Sequence, residues 1–148
     1  MAAVAATADE IKKRYGKIDI LLNNAGLTYK QDGSVELGAP YMKAKNGMDL
    51  SFTVNYLSHF LLTEKLLDNL SNASPKGRVV HLTSSFHWKV DGSELCPLSD
   101  ESIIAYESDP SRQGPKHVER AYANTKLAQI WHSRSMRKKS GKDCSSVF

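Results

Sequence analysis

Tyr122 and Lys126 are four positions apart, within a segment whose apolar spacing predicts a long helix over 116–138. Side chains at that spacing share one face of a helix, about 6 Å apart along its axis. An ordinary phenol has a pKa of about 10 and exchanges protons poorly at neutral pH. An ammonium held beside a phenol stabilises the phenolate, which suits such a pair to acid and base chemistry. Taken alone, the spacing also fits an aromatic residue flanking a solvated lysine.

Three polar features lie upstream, two of them at the ends of apolar runs and one within an apolar pattern. The segment Asn23–Gly26 follows a short apolar run that predicts a strand. Asn55 lies inside a dense apolar pattern over 47–70 that predicts a second long helix. Ser84 closes a β-branched run, which predicts another buried strand. Polar residues at such strand ends are placed where open α/β sheets bind their ligands.

The predicted elements alternate along one domain, 1–148. A stripe of Val4, Ala8, Ile11 and Tyr15 predicts an opening helix that stops at Gly16. The other predicted segments are a strand at 18–22, an irregular connection at 27–46, a turn at 71–77, a strand at 78–83, a polar stretch at 91–115 and a strand opening at 145–148. Strands alternating with long helices predict parallel pairing and right-handed crossovers. The fold class is therefore α/β, a three-layer Rossmann-like sandwich around a parallel sheet.

These motifs, taken in order, resemble the short-chain dehydrogenase/reductase family. The resemblance runs from about Ala8 to Trp131 and consists of N-N-A-G, an asparagine in a helix, a strand ending in T-S, and Y-x-x-x-K. The residues around Tyr122 and Lys126 are similar to the A-Y-x-x-S-K-L-A pattern of the retinol dehydrogenase and WW-domain oxidoreductase branch. Ser84 and Tyr122 lie 38 positions apart, and that branch carries a similar long insertion.

The resemblance implies roles for four catalytic residues. Tyr122 would be the acid in carbonyl reduction and the base in alcohol oxidation. Lys126 would stabilise the phenolate and bind the hydroxyls of the nicotinamide ribose, and Ser84 would hold the substrate oxygen. Asn55 would anchor a water that links Lys126 to solvent. The implied reaction is NAD(P)-dependent alcohol oxidation or carbonyl reduction on a lipophilic small molecule.

The same resemblance implies a cofactor site formed by Asn23, Ala25, Gly26, Tyr122 and Lys126. The cofactor would be NADP or NAD, with NADP favoured because the branch usually takes the phosphorylated form. The residues that choose between the two are not recognisable in this sequence. Its nine glycines include no G-x-G, so the family's glycine-rich phosphate turn is also missing.

Several of these residues also have plain structural interpretations. Ser85 competes with Ser84 for the serine role, although alternation along a continuing strand would turn Ser85 to the other face. Asn55 fits a hydrogen-bonded polar residue in a helix, and the segment Asn23–Gly26 fits a turn former. We expect His59, one turn beyond Asn55, to be partly buried and hydrogen-bonded rather than catalytic.

Composition limits the other classes of function. The net charge is +4, and much of the excess lies in the basic run 134–139, which is typical of the solvated end of a helix. No nucleic-acid partner is expected, since no aromatic residues interleave with these charges. Cys96 and Cys144 belong to no metal-ligand or C-x-x-C pattern, so no metal site is expected. No signal peptide or membrane span is recognisable, which favours a cytoplasmic location.

The resemblance implies an incomplete sandwich, in which the family's first strands are missing along with the glycine-rich turn, and this motivates a second interpretation of the chain. A sheet of about three parallel strands leaves strand edges and apolar surface uncovered, and such edges favour association. Homo-oligomers or a partner chain are therefore expected. In this alternative the chain is a catalytically silent fragment that acts, if at all, through association with another chain.

Overall fold

A parallel pair of short strands forms the centre of the fold. The computed structural model describes residues 1–27, 44–45, 48–95 and 115–139. Strand β1 comprises Ile20–Asn23 and strand β2 comprises Arg78–His81. They pair in register from Ile20 opposite Arg78 to Asn23 opposite His81. The parallel pairing predicted from sequence is therefore confirmed, whereas the predicted strand at 145–148 lies outside the described residues.

Both strands differ slightly in their bounds from those expected. Strand β1 begins two residues later than predicted, because the main chain of Ile18 bonds to the Asn69 carbonyl oxygen (2.9 Å) rather than to a strand. Strand β2 ends at His81 instead of 83, although Leu82 N–H still donates to the Asn23 carbonyl oxygen at 3.1 Å. Beyond that bond the chain turns away, and Ser84 begins a new helical turn.

The helices follow the predicted order closely. The structure contains α1 (Ala2–Arg14), α2 (Leu50–Phe52), a π-helical turn (Thr53–Leu57), α3 (Ser58–Lys65), α4 (Leu67–Ser71), two 3-10 helices (Ser85–Lys89 and Ser93–Leu95) and α5 (Pro115–Lys139). The helix predicted at 116–138 thus matches α5. The helix predicted at 47–70 corresponds to the consecutive segments from α2 to α4. Most of the predicted connection at 27–46, and the polar stretch beyond residue 95, lie outside the described residues.

The 50–71 helical region begins at a cap formed by Asp49 and is interrupted at Leu66. The Asp49 carboxylate caps α2 by accepting the Phe52 N–H at 2.6 Å. Burial raises the pKa of that carboxyl above its ordinary value, although the hydrogen bonds from Phe52 and Ser51 oppose the shift. Leu66 separates α3 from α4 with φ −101° and ψ 8°, and its side chain is fully buried.

The buried face of the sheet packs against the helices. Leu70 of α4, Val79 of β2 and Met136 of α5 form the apolar core, with Leu21 of β1 packed against it. The chain approaches itself closely at Gly77, where a Cβ would lie 2.5 Å from the Ile18 carbonyl oxygen. This contact lets the α4–β2 turn pass over the start of the sheet.

The opposite face of the sheet is open in the described part of the chain. The side chains of Ile20 and Leu22 alternate with the buried positions and are 64% and 56% exposed. The predicted α/β class is confirmed as a partial fold, in which the described residues provide the sheet and the helical layer on one side. None of the helices described here has the length and apolarity needed to cross a bilayer.

Candidate active site

Lys126 is held at the carboxyl edge of the sheet by helix α5. Its side chain is buried, with 6% of the residue exposed, and its ammonium Nζ donates to the Leu82 carbonyl oxygen at 2.8 Å. The same Nζ lies 5.5 Å from the centroid of the Tyr122 ring. Burial lowers the pKa of Lys126 below its ordinary value. The ammonium and the phenol therefore share one face of α5, as the spacing predicted.

The segment that follows β2 is fastened to the same helix. Thr83 Oγ1 donates to the Lys126 carbonyl oxygen at 3.0 Å. Ser84 is half-buried and caps the 3-10 helix, its Oγ accepting the Phe86 N–H at 3.3 Å. Ser85 is exposed and belongs to this helix rather than to a continuing strand, so the expected alternation of faces does not apply to it. The assignment of the serine role to Ser84 stays a prediction.

Aromatic side chains adjoin Tyr122 on this segment. The Phe86 ring meets the Tyr122 ring edge-on, with the centroids 5.6 Å apart. Lys89 Nζ lies 4.1 Å above the Phe86 ring and also bonds to Glu119 of α5. Trp88 is 82% exposed, the largest apolar exposure among the described residues. Apolar surface therefore lies directly beside the phenol.

Asn55 joins three parts of the chain. Its Oδ1 accepts the Leu27 N–H and its Nδ2 donates to the Leu27 carbonyl oxygen, both at 2.8 Å. Nδ2 also approaches Thr125 Oγ1 at 3.3 Å, next to Lys126 on α5. The side chain is fully buried. The π-helical turn, the turn after β1 and helix α5 therefore meet at this asparagine, which fits both its structural interpretation and a role in the site.

The residues at the turn after β1 differ in their exposure to solvent. Asn23 is buried, and its Nδ2 donates to Thr63 Oγ1 at 2.9 Å, so any contact of this residue with a cofactor would come from its main chain. Ala25 and Gly26 are exposed at the carboxyl end of β1. A Cβ on Gly26 would lie 3.4 Å from Asn55 Oδ1, at ordinary van der Waals contact, so Gly26 lies directly beside the asparagine.

Two contacts of the site were not recognised from sequence. Gln129 Nε2 donates to the main-chain oxygen of Asn55 at 2.8 Å, and His59 Nδ1 donates to the same oxygen at 2.9 Å. The expectation that His59 is buried and hydrogen-bonded is confirmed. Lys126 lies three positions before Gln129, so both residues share one face of the helix. That spacing is the signal that could have identified Gln129.

Buried histidines lie beside the site on the inner face of the sheet. The rings of His81 and His132 are 5.2 Å apart, and the Asn23 amide approaches His81 Nδ1 at 3.4 Å. Burial, together with His132 and His59, lowers the pKa of His81 to about 4. Among the described residues, no group of histidine, cysteine and carboxylate side chains is arranged to hold a metal ion.

A buried lysine, an adjacent phenol and a serine thus lie at the carboxyl edge of the parallel sheet, where open α/β sheets bind their ligands. A family model described as short chain dehydrogenase matches residues 1–91. The chain therefore belongs to the short chain dehydrogenase family, as the motifs predicted. Its relatives in that family place it with the retinol dehydrogenase-like branch.

Three curated relatives illustrate this similarity. Retinol dehydrogenase 14 of Homo sapiens is 30% identical, over 92% of this chain and 34% of that protein. Retinol dehydrogenase 12 of Mus musculus is 31% identical, over 93% of this chain and 36% of that protein. Short-chain dehydrogenase TIC 32 A, chloroplastic, of Brassica napus is 29% identical, over 82% of this chain and 33% of that protein. The chain spans about a third of the length of these relatives.

Solved structures agree on the fold. An uncharacterised protein from Mycobacterium paratuberculosis superposes with a TM-score of 0.65 and 24% identity, over 98% of this chain and 43% of that one. An alcohol dehydrogenase from Thermococcus sibiricus, complexed with 5-hydroxy-NADP, gives a TM-score of 0.59 and 17% identity, over 97% of this chain and 46% of that one. At these identities the likeness concerns the fold alone.

Proposed function

We propose that this chain carries the acid–base centre of an NAD(P)-dependent oxidoreductase that interconverts an alcohol and a carbonyl compound. The observation that supports this most strongly is the buried Lys126 ammonium, which lies between the Leu82 carbonyl oxygen and the Tyr122 ring. A buried cation is costly unless it has partners, and here the Leu82 carbonyl oxygen and the face of the Tyr122 ring supply them. Family membership supports the same reaction class.

Each side chain would act on the proton or oxygen of the substrate. Tyr122 Oη would give a proton to the carbonyl oxygen in reduction and take it back in oxidation. The positive charge of Lys126 would stabilise the phenolate left after that transfer. Ser84 Oγ would donate a hydrogen bond to the same substrate oxygen, because its present bond to Phe86 N–H uses only a lone pair.

The residues present fit the nicotinamide end of the cofactor. The Lys126 ammonium offers donors to ribose hydroxyls, and Ala25 and Gly26 leave main chain exposed at the carboxyl end of β1. The cofactor supplies the hydride when bound. NADP is proposed over NAD from the branch resemblance. The 148 residues include no G-x-G turn for the phosphates.

The substrate would be apolar next to the reacting group. Phe86 packs on Tyr122, and Trp88 presents an exposed indole two positions further on. These rings favour a lipophilic alcohol or aldehyde over a charged one, since apolar area removed from water stabilises binding. The retinol dehydrogenase names of the relatives agree with such a substrate class.

Titration of the chain with NADPH and NADH tests this proposal directly. We expect micromolar binding, with NADPH tighter, and oxidation of bound NADPH by a long-chain aldehyde. Lys126→Met keeps the length of the side chain but removes its charge, so we expect weaker dinucleotide binding and slower turnover from this variant. Failure of the unmodified chain to bind either dinucleotide at low-millimolar concentration would contradict the proposal for this chain.

A second candidate function is association with another chain. Ile20 and Leu22 form an exposed apolar row on an otherwise bare sheet face, at a strand that pairs only with β2 among the described residues. Parallel sheets are normally buried on both faces, and open strand edges attract further strands. This candidate does not require the chain to bind a cofactor.

Replacement of Ile20 and Leu22 by threonine tests the second candidate, because threonine keeps the strand preference and removes much of the apolar area. Size-exclusion chromatography should show the unmodified chain as an oligomer or aggregate and the double variant shifted towards monomer. Tyr15→Ser is the matched control, since Tyr15 is 57% exposed but lies outside the sheet. A monodisperse monomer with one sharp thermal transition would rule this candidate out.

A further inference from the structure

The main-chain oxygen of Asn55 is held by two buried side chains. Gln129 Nε2 and His59 Nδ1 both donate to it, at 2.8 and 2.9 Å. Two buried side-chain donors therefore converge on one acceptor. The oxygen belongs to the π-helical turn Thr53–Leu57, a type of insertion that frequently marks functional sites.

The side chain of the same asparagine faces the opposite way. Its carboxamide makes two hydrogen bonds to Leu27 and one to Thr125. Leu27 directly follows Gly26, and Thr125 directly precedes Lys126. The orientation of the Asn55 main chain therefore sets the relation between the turn after β1 and the lysine on α5.

We propose that Gln129 is a positioning residue, which fixes Asn55 so that its carboxamide holds the Ala25–Leu27 turn at the distance from Lys126 that a dinucleotide requires. The inference rests on the proposed function for its ligand, but its geometry stands without one. Gln129 is 1% exposed, and in the described part of the chain its Oε1 has no hydrogen-bond partner. The bond to Asn55 is therefore the polar contact that explains why a glutamine is buried at this position.

Hydrogen exchange at the Leu27 amide tests the proposal without any cofactor. Gln129→Met keeps the length of the side chain but donates no hydrogen bond. We expect the protection of the Leu27 N–H to fall about tenfold, as loss of one buried hydrogen bond predicts. The Kd for NADPH should rise by a similar factor, while kcat at saturating cofactor should change less.

Asn69→Leu is the matched control. It removes another buried amide, whose Nδ2 donates to the Tyr15 carbonyl oxygen at 2.6 Å rather than to Asn55. This variant should lower Tm, yet leave Leu27 protection unchanged once global stability is taken into account. Equal loss of Leu27 protection in both variants, or none in Gln129→Met, would overturn the positioning role.

A second measurement covers the case in which Gln129→Met does not fold. In the unmodified chain, the side-chain amide protons of Gln129 should exchange slowly and show an NOE to the Asn55 region. Fast exchange would contradict the proposal. If the chain binds no dinucleotide although Leu27 and Gln129 behave as expected, the proposed function fails and the positioning role of Gln129 remains.

Discussion

Replacing Tyr122 with phenylalanine should lower kcat on the order of a thousandfold, while leaving the affinity for NADPH nearly unchanged. The substitution removes only the hydroxyl that would transfer the proton. The ring itself should stay in place, because it packs edge-on against Phe86 and lies 5.5 Å from Lys126 Nζ. The substitution should therefore lower kcat without weakening the binding of NADPH, as expected when an interaction made only in the transition state is lost.

Steady-state kinetics with a lipophilic aldehyde and NADPH, together with direct NADPH titration, measure both quantities. Tyr15→Phe makes the same chemical change at an exposed tyrosine beyond the end of α1 and should leave kcat unaltered. If Tyr122→Phe turns over at the rate of the unmodified protein, Tyr122 is not the acid. Another donor would then have to be sought near Ser84.

The sequence predicted the long elements well, for reasons that can be stated residue by residue. Helix α5 was predicted at 116–138 and spans Pro115–Lys139, because its apolar positions recur along one face for many turns. The strand predicted at 78–83 ends at His81 in the structure. The two extra residues are β-branched or aliphatic, so composition favoured the strand, whereas the capping bond of Ser84 ended it.

The interruptions of the 50–71 helical region could not be predicted from sequence. A π-helical turn adds one residue to the helix without any helix-breaking residue. The sequence of the segment Thr53–Leu57 therefore has the same pattern as an ordinary apolar helix. Leu66 also gives no local signal for the break it makes. Both features depend on which neighbours the helix packs against.

The positions of the candidate site residues could be predicted from sequence, whereas the hydrogen bonds that connect them could not. The shared face of Tyr122 and Lys126 follows from helical spacing, and the place of Ser84 follows from the end of a strand. The bonds between Asn55 and Leu27 span 28 positions, and the bond from Gln129 to Asn55 spans 74. Contacts at such separation arise from tertiary packing, which no local pattern in one sequence encodes.

The free energy of unfolding should fall as the pH is lowered from about 7 to 4, and His81 should account for much of the fall. The folded-state pKa of His81 is about 4, compared with an ordinary value of 6.5. Between these two values the unfolded chain binds the proton and the folded chain does not. The stability is therefore full above pH 6.5 and is lost progressively towards pH 4, by about 3 kcal/mol for this group.

The surroundings of His81 show why the folded protein resists that proton. Its Nδ1 accepts the Asn23 amide at 3.4 Å, its ring faces His132 of α5 at 5.2 Å, and His59 of α3 adds a further unfavourable charge when protonated. Glu64 Oε1 lies 3.6 Å from His132 Nε2. The pKa of His59 is also lowered by burial, which acts in the same direction, whereas the raised pKa of Asp49 opposes it at the acid end.

His81→Asn isolates the contribution of this one residue, because asparagine offers an oxygen to the Asn23 amide but does not titrate. Chemical denaturation at several pH values between 4 and 7.5 should give a shallower acid-side slope for this variant than for the unmodified chain. His87→Asn is the control, since His87 lies outside the cluster and bonds to the Ser84 carbonyl oxygen.

Parallel slopes for His81→Asn and the unmodified chain would mean that His81 has the same pKa in the folded and the unfolded chain. The packing of His81 between Asn23 and His132 would then be looser than the structure has it.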